Sequence, residues 1–152
     1  MKTYLTVLVA VSMAVALGAQ TKTKLHTTDS LTGLPLSPAT DPGMNLGNEP
    51  TALPDSNVCK SKMQGQFYSL FHITTDATTA WYTQNLKDFK VAKGTESGRA
   101  QVVFYKPEGT VLVIVTGGAG TPDAYSVAYE RYTPGLSEKT ILGVPQGKID
   151  CR

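Results

Sequence analysis

The chain is poor in the residues that carry chemistry. Its 152 residues include two cysteines, Cys59 and Cys151, and two histidines, His26 and His72. There is no C-x-x-C, and only one histidine follows Ser56, so zinc-type spacing is absent. No G-x-S-x-G elbow presents a nucleophilic serine. The glycines at 117, 118 and 120 lack the Lys-Ser/Thr that closes a phosphate loop. A charge excess of one sign is missing too. There are 14 basic and 12 acidic residues, too even a balance to draw nucleic acid or an anionic membrane. Lys87, Lys90, Lys93 and Arg99 gather locally and read as a solvated edge. Beyond the N-terminus no stretch approaches the ~18 apolar residues of a membrane span. No cofactor is called for.

What is present starts at the N-terminus. Lys2 is followed by a weakly polar to apolar run from Tyr4 to Leu17, then by small residues at Gly18 and Ala19. This is the layout of a secretory signal peptide over residues 1–19, too short and wrongly flanked for a lasting anchor. The expected address is secreted or periplasmic. An exported chain meets oxidising conditions, so Cys59 and Cys151 are expected to pair. That bridge would close nearly the whole domain into one loop, worth at most ~4–5 kcal/mol by chain entropy.

Residues 20–55 mix Pro35, Pro38, Pro42, Pro50 and Pro54 with Gly33, Gly43 and Gly47. Neither helical nor strand periodicity survives there, which predicts a disordered arm or linker. Residues 56–152 then form a single domain, enough for one modest core.

Gln66 to Ile73 reads as a strand, rich in aromatic and β-branched types. Thr74-Thr75-Asp76 supplies cap chemistry for a helix to about Phe89, with Trp81, Tyr82, Leu86 and Phe89 in one arc. Strands are expected at 90–93, 100–106, 110–116 and 124–132. Pro107-Glu108-Gly109 forms a tight turn between two of them. The tail from Leu136 has no clear pattern beyond carrying Cys151 back to Cys59. The order β-α-β-β-β-β, with short connections, predicts an α+β fold. One helix packs in two layers on a curved, mainly antiparallel sheet of four to five strands.

The pattern bearing on function is Val111-Leu112-Val113-Ile114-Val115. Both faces of this strand are apolar, and Val102 to Tyr105 repeats the character. A sheet with one wet face should alternate. One helix covers one face, so the other needs a lid: the C-terminal tail, the N-terminal arm, a second copy, or a partner. Exposed apolar area beyond a few hundred Å² is rare on monomers.

Two family resemblances attach to particular residues. His72 at a strand end, Ala80-Trp81-Tyr82-x-x-x-Leu86-x-x-Phe89, and Val102-x-Phe104-x-x-Pro107-x-Gly109 before an apolar strand resemble one module of the glyoxalase/dioxygenase (vicinal oxygen chelate) superfamily. The resemblance covers about Phe67 to Thr116 and implies a metal-dependent enzyme with His72 as a ligand. The carboxylate expected on the last module strand is missing, and Glu130 lies on an extra strand. Gln101-Val102-Val103 is similar to the Gln-x-Val-x-Gly loop of cystatin-type protease inhibitors, but Tyr105 stands where that loop has glycine.

The first expectation is therefore an exported non-catalytic domain that binds a protein partner or forms a homodimer through an apolar sheet face. Its candidate contacts are Tyr105, Val111, Val113, Val115 and Tyr125. The second is a dimeric single-module metal enzyme using His72.

Overall fold

The computed structural model describes residues 27–40 and 50–152. The signal-peptide reading at 1–19 lies outside the described residues, as do positions 20–26 and 41–49 of the arm. The described elements are strands β1 (Thr51–Val58) and β2 (Ser61–Ser69), helix α1 (Thr75–Asn85), strands β3 (Lys90–Glu96), β4 (Arg99–Tyr105), β5 (Val111–Gly117) and β6 (Ala124–Thr133), and helix α2 (Glu138–Gly143). Single 3₁₀ turns occupy Pro38–Thr40 and Val144–Gln146.

The α+β class is as expected; the detail differs. One antiparallel sheet holds six strands in the order β1-β2-β6-β5-β4-β3. The extra strand is β1, which starts in the segment read as arm and crosses its boundary at residue 55. Its residues are mostly exposed, so it has no apolar face to reveal it. Pairing to β2 holds it, with a register shift between Leu53 and Ser56 around Pro54. Proline and a bulge are what an edge strand tolerates. Both β-hairpin turns at the sheet margins use left-handed backbone: Cys59 and Lys60 at φ 50° and 70°, Ser97 and Gly98 at φ 49° and 76°. That twist matches the strands it joins.

The helix begins as its capping residues predict, with the Thr74 hydroxyl accepting from the Ala77 amide at 3.1 Å. It stops at Asn85 rather than near Phe89. Leu86 leaves helical geometry with ψ 58° and turns its buried side chain into the core.

Two layers become three. One face of the sheet carries Tyr68, Val102, Phe104, Val113, Val115, Val127 and Tyr129, covered by α1 and by Leu34 to Ala39. The opposite face carries Ala92, Val103, Tyr105, Leu112 and Tyr132, covered by Leu136, Ile141 and Val144. The double-sided apolar pattern of β4 and β5 is thus answered from within the chain, and the C-terminal tail is the second lid. It crosses the β4–β5 turn where two glycines meet. A Cβ on Gly135 would lie 2.0 Å from the Glu108 carbonyl oxygen, and one on Gly109 1.9 Å from that of Leu136. Cys59 and Cys151 form the expected disulfide, 92 residues apart in sequence, fastening the tail's end to the β1–β2 turn.

Candidate functional site

On the helix side the chain has built a polar cluster that the sequence did not announce. The Tyr82 and Tyr129 hydroxyls are 2.6 Å apart. Tyr129 donates its one proton to the Pro35 carbonyl at 2.8 Å, so Tyr82 must donate to Tyr129. The Tyr82 oxygen then accepts the Ser37 amide at 3.4 Å. Beside them Tyr68 donates to Asp29 Oδ1 at 2.9 Å, while Oδ2 accepts the Thr32 amide and hydroxyl, each at 2.7 Å. Asp29 is fully buried. Burial pushes the Tyr82 phenol up to about 12. Burial first, then the neighbouring Tyr82, raises Tyr129 further; burial and the Asp29 bond raise Tyr68. Every proton in this set is used inside the chain. The cluster is a clasp that docks residues 29–37, and it offers a ligand nothing.

That docking corrects the expectation of an arm without structure at these positions. Leu36, Ser37 and Thr40 are buried, and Thr28 bridges Pro35. The prolines and glycines there shape turns against the sheet; the tyrosines that hold them lie dozens of residues away.

The predicted contact residues separate. Val113 and Val115 are fully buried under α1 and residues 34–39, so they are core and not contact surface. Tyr105 is buried on the other face, where its hydroxyl donates to Glu138 at 3.0 Å. Lys90 donates to the same carboxylate oxygen at 2.9 Å, pinning α2 to the sheet. The hydrogen bond from Lys90, then that from Tyr105, holds the Glu138 carboxyl below its ordinary range. Val111 is half-buried. Tyr125 alone is open, 56 % exposed, with the Arg99 guanidinium 5.0 Å from its ring centre.

His72 is exposed in the loop after β2 at φ 54°. Among the described residues no three histidines, cysteines or carboxylates gather where they could hold a metal. Gln101, Val102 and Val103 lie mid-strand and buried, not in a loop.

One part of the second sheet face stays open. Phe67, Ala128, Ile114 and Val103 are direct cross-strand partners on that face. Val103 lies under the tail, but Phe67, Ala128 and Ile114 are only half-buried. The next row outward is polar: Ser69, Ser126, Thr116 and Gln101. The row inward runs Leu53, Gly65, Glu130, Leu112. Here the Leu53 side chain leans over Gly65, 2.7 Å from where a Cβ would stand. Glu130 therefore sits at the seam between the covered and open halves, among apolar neighbours. Its Oε2 accepts the Tyr132 hydroxyl at 2.5 Å. Burial raises its carboxyl above the ordinary range, partly offset by that bond. In the sequence Glu130 stands out only as a carboxylate on the strand after the apolar one; its burial depends on Leu53 and the tail, which come from elsewhere in the chain.

Comparison with protein-family models, curated proteins and solved structures gives no match to this chain. The two family resemblances therefore rest on the residues quoted for them alone. No helix among the described residues is long and apolar enough to cross a membrane.

Proposed function

We propose that this is an exported, non-catalytic binding domain, acting through the open half of the second sheet face. The observation that supports this is the half-buried row Phe67, Ala128 and Ile114, at the margin of the part of the face that the tail covers. Export is supported by the signal-like N-terminus and the disulfide, which belongs to oxidising compartments. Strand spacing makes the floor about 10 Å across and, over three rows, about 14 Å long. That is far below the ~800 Å² per partner of a standard protein interface. A floor of that size suits the apolar group of a small ligand rather than a protein-sized partner.

The test is amide chemical-shift mapping of the purified mature chain against a panel of hexyl and phenylethyl compounds, together with light scattering. Saturable shifts confined to Phe67, Ile114, Ala128 and Ser126, in a monomer, are the expected result. A concentration-dependent dimer that shields those amides would replace ligand binding with self-association. No shift and no dimer would end the proposal.

A further inference from the structure

Two acids of the described residues, Asp29 and Glu130, are withdrawn from solvent without an ion pair; the two oxygens of Asp29 take three hydrogen bonds, whereas Glu130 takes one and lies among apolar neighbours. Across β2 its partner position is Gly65, roofed by Leu53; across β5 it is Leu112, fully buried. The diagonal neighbours on the same face are Phe67 and Ile114. The tail contributes Leu136 and Ile141 to the adjoining cluster. The sheet itself places Lys90 and Arg99 on this face, and the covering tail adds Lys148 together with Lys139 and Arg152, both paired with Asp150. Lys90 lies in Glu130's row three strands away, about 14 Å by strand spacing, and is engaged by Glu138. Arg99 lies beyond the polar row, about 20 Å off by strand rise, and stacks on Tyr125. None of the ion pairs among described residues includes Glu130.

The carboxylate is also only half used. Tyr132 satisfies Oε2, and this is the one hydrogen bond made to the group. Oε1 takes no hydrogen bond from a described residue, and Glu130 keeps partial exposure beside the open apolar row. An acid in such a setting weakens the fold unless something compensates its charge.

We infer that Glu130 Oε1 is the anchor for a protonated amine, and that the ligand is a small apolar ammonium compound whose hydrocarbon part lies over Phe67, Ala128 and Ile114. The inference rests on the binding function proposed above and specifies its ligand. The geometry matches in kind. A single carboxylate oxygen takes one N⁺–H donor in a charge-assisted bond. The neighbouring row gives the hydrocarbon a dry floor. The polar row beyond it, Ser126 and Thr116, limits how far that hydrocarbon extends. Adjacent rows on one face are separated by two residues of strand rise, about 7 Å, the length of a phenylethyl or hexyl chain.

The probes are n-hexylammonium, 2-phenylethylammonium and tryptammonium chlorides, each set against its neutral alcohol analogue. Binding is measured by calorimetry and amide shifts on the full mature chain at neutral pH. At least one ammonium is expected to bind ten-fold or more tighter than its alcohol, with shifts at Glu130, Phe67 and Ile114. Glu130→Gln keeps an acceptor for Tyr132, so the fold is retained. It should bring the ammonium affinity down to that of the alcohol. Phe67→Ala should weaken ammonium and alcohol alike. If alcohol and ammonium bind equally and Glu130→Gln changes neither, the amine assignment is overturned while the apolar site stands. If none of the six compounds shifts Phe67 or Ile114, both fall. Carboxyl-carbon NMR of Glu130 is a second reading independent of the variants. Saturation with the ammonium must lower the pH at which that carboxyl titrates, and an unmoved titration also overturns the assignment.

Discussion

The Tyr82 and Tyr129 hydroxyls meet at 2.6 Å between helix α1 and strand β6, and their shared bond carries the docking of residues 35–37. Tyr129 gives its proton to Pro35, Tyr82 gives its own to Tyr129, and Ser37 closes the chain. The order of donors has consequences for substitution. Tyr129→Phe removes an acceptor from Tyr82 and a donor from Pro35 in one step. It should cost about 1–3 kcal/mol, the usual penalty for stranding buried polar groups. Tyr82→Phe leaves Tyr129 its bond to Pro35 and should cost less. The double variant should cost less than the sum, because the two share one bond. Urea unfolding of the three variants measures this, and hydrogen exchange at the Leu36 amide reports release of the segment.

The same cluster sets an alkaline limit. Burial raises Tyr82 to about 12, so the folded state holds the neutral phenol where the unfolded chain has begun to ionise. Stability from this group is complete below the ordinary tyrosine value near 10 and is lost as pH climbs through about 12. Ultraviolet titration followed alongside circular dichroism measures this. The buried phenols should ionise only with unfolding.

Glu130 makes the fold pH-sensitive in the opposite region. Its carboxyl is raised, so between the ordinary glutamate range and its own the folded chain binds the proton and the unfolded chain does not. Stability must fall as pH rises through that window. Glu130→Gln should remove the slope, raising the urea midpoint at neutral pH and leaving it nearly unchanged in acid. A variant no more stable at neutral pH than the parent would contradict the burial of this charge.

The tail's route predicts steric intolerance. Gly135→Ala puts a methyl 2.0 Å from the Glu108 carbonyl, against rigid backbone. Gly109→Ala adds strain at φ 64°. Each should cost several kcal/mol or displace the tail, since overpacking alone costs about 1–3. Increased proteolytic cleavage after Lys139 and Lys148 would be the sign of displacement. Unaltered unfolding curves would show that the crossing adjusts freely.

Opening the Cys59–Cys151 bridge by Cys59→Ser with Cys151→Ser frees a loop spanning 92 residues. The expected loss is at most about 4–5 kcal/mol. Ile141 and Leu136 remain buried contacts of the tail, so the second face should stay covered. Denaturation with and without the bridge gives the loss. A dye for exposed apolar surface should show no gain in the folded double variant.

Much of the fold was legible where physical chemistry is local. Thr74 caps α1 because its own hydroxyl reaches three residues ahead. Strands β3 to β6 follow β-branched runs cut by Pro107, Gly109 and Gly120. What escaped was held from a distance. β1 has no periodicity because both its sides are wet and only its backbone ladder to β2 defines it. Residues 29–40 look like a linker until Tyr68, Tyr82 and Tyr129 are placed above them. Helix α2 has six residues, too few for a repeat to show. The contact set failed at Val113, Val115 and Tyr105 for a related reason. Alternation says that both faces of a strand are apolar, but not which segment covers each.

The amino-acid order alone determined the double-faced apolar pattern of the sheet and made a pairing of its two cysteines the expectation, since side-chain alternation and thiol count are properties of the chain. Only the folded arrangement decided which half of that sheet remained open. Covering a face depends on where the tail can cross, and that route exists because Gly109 and Gly135, distant in sequence, carry no side chains where they touch.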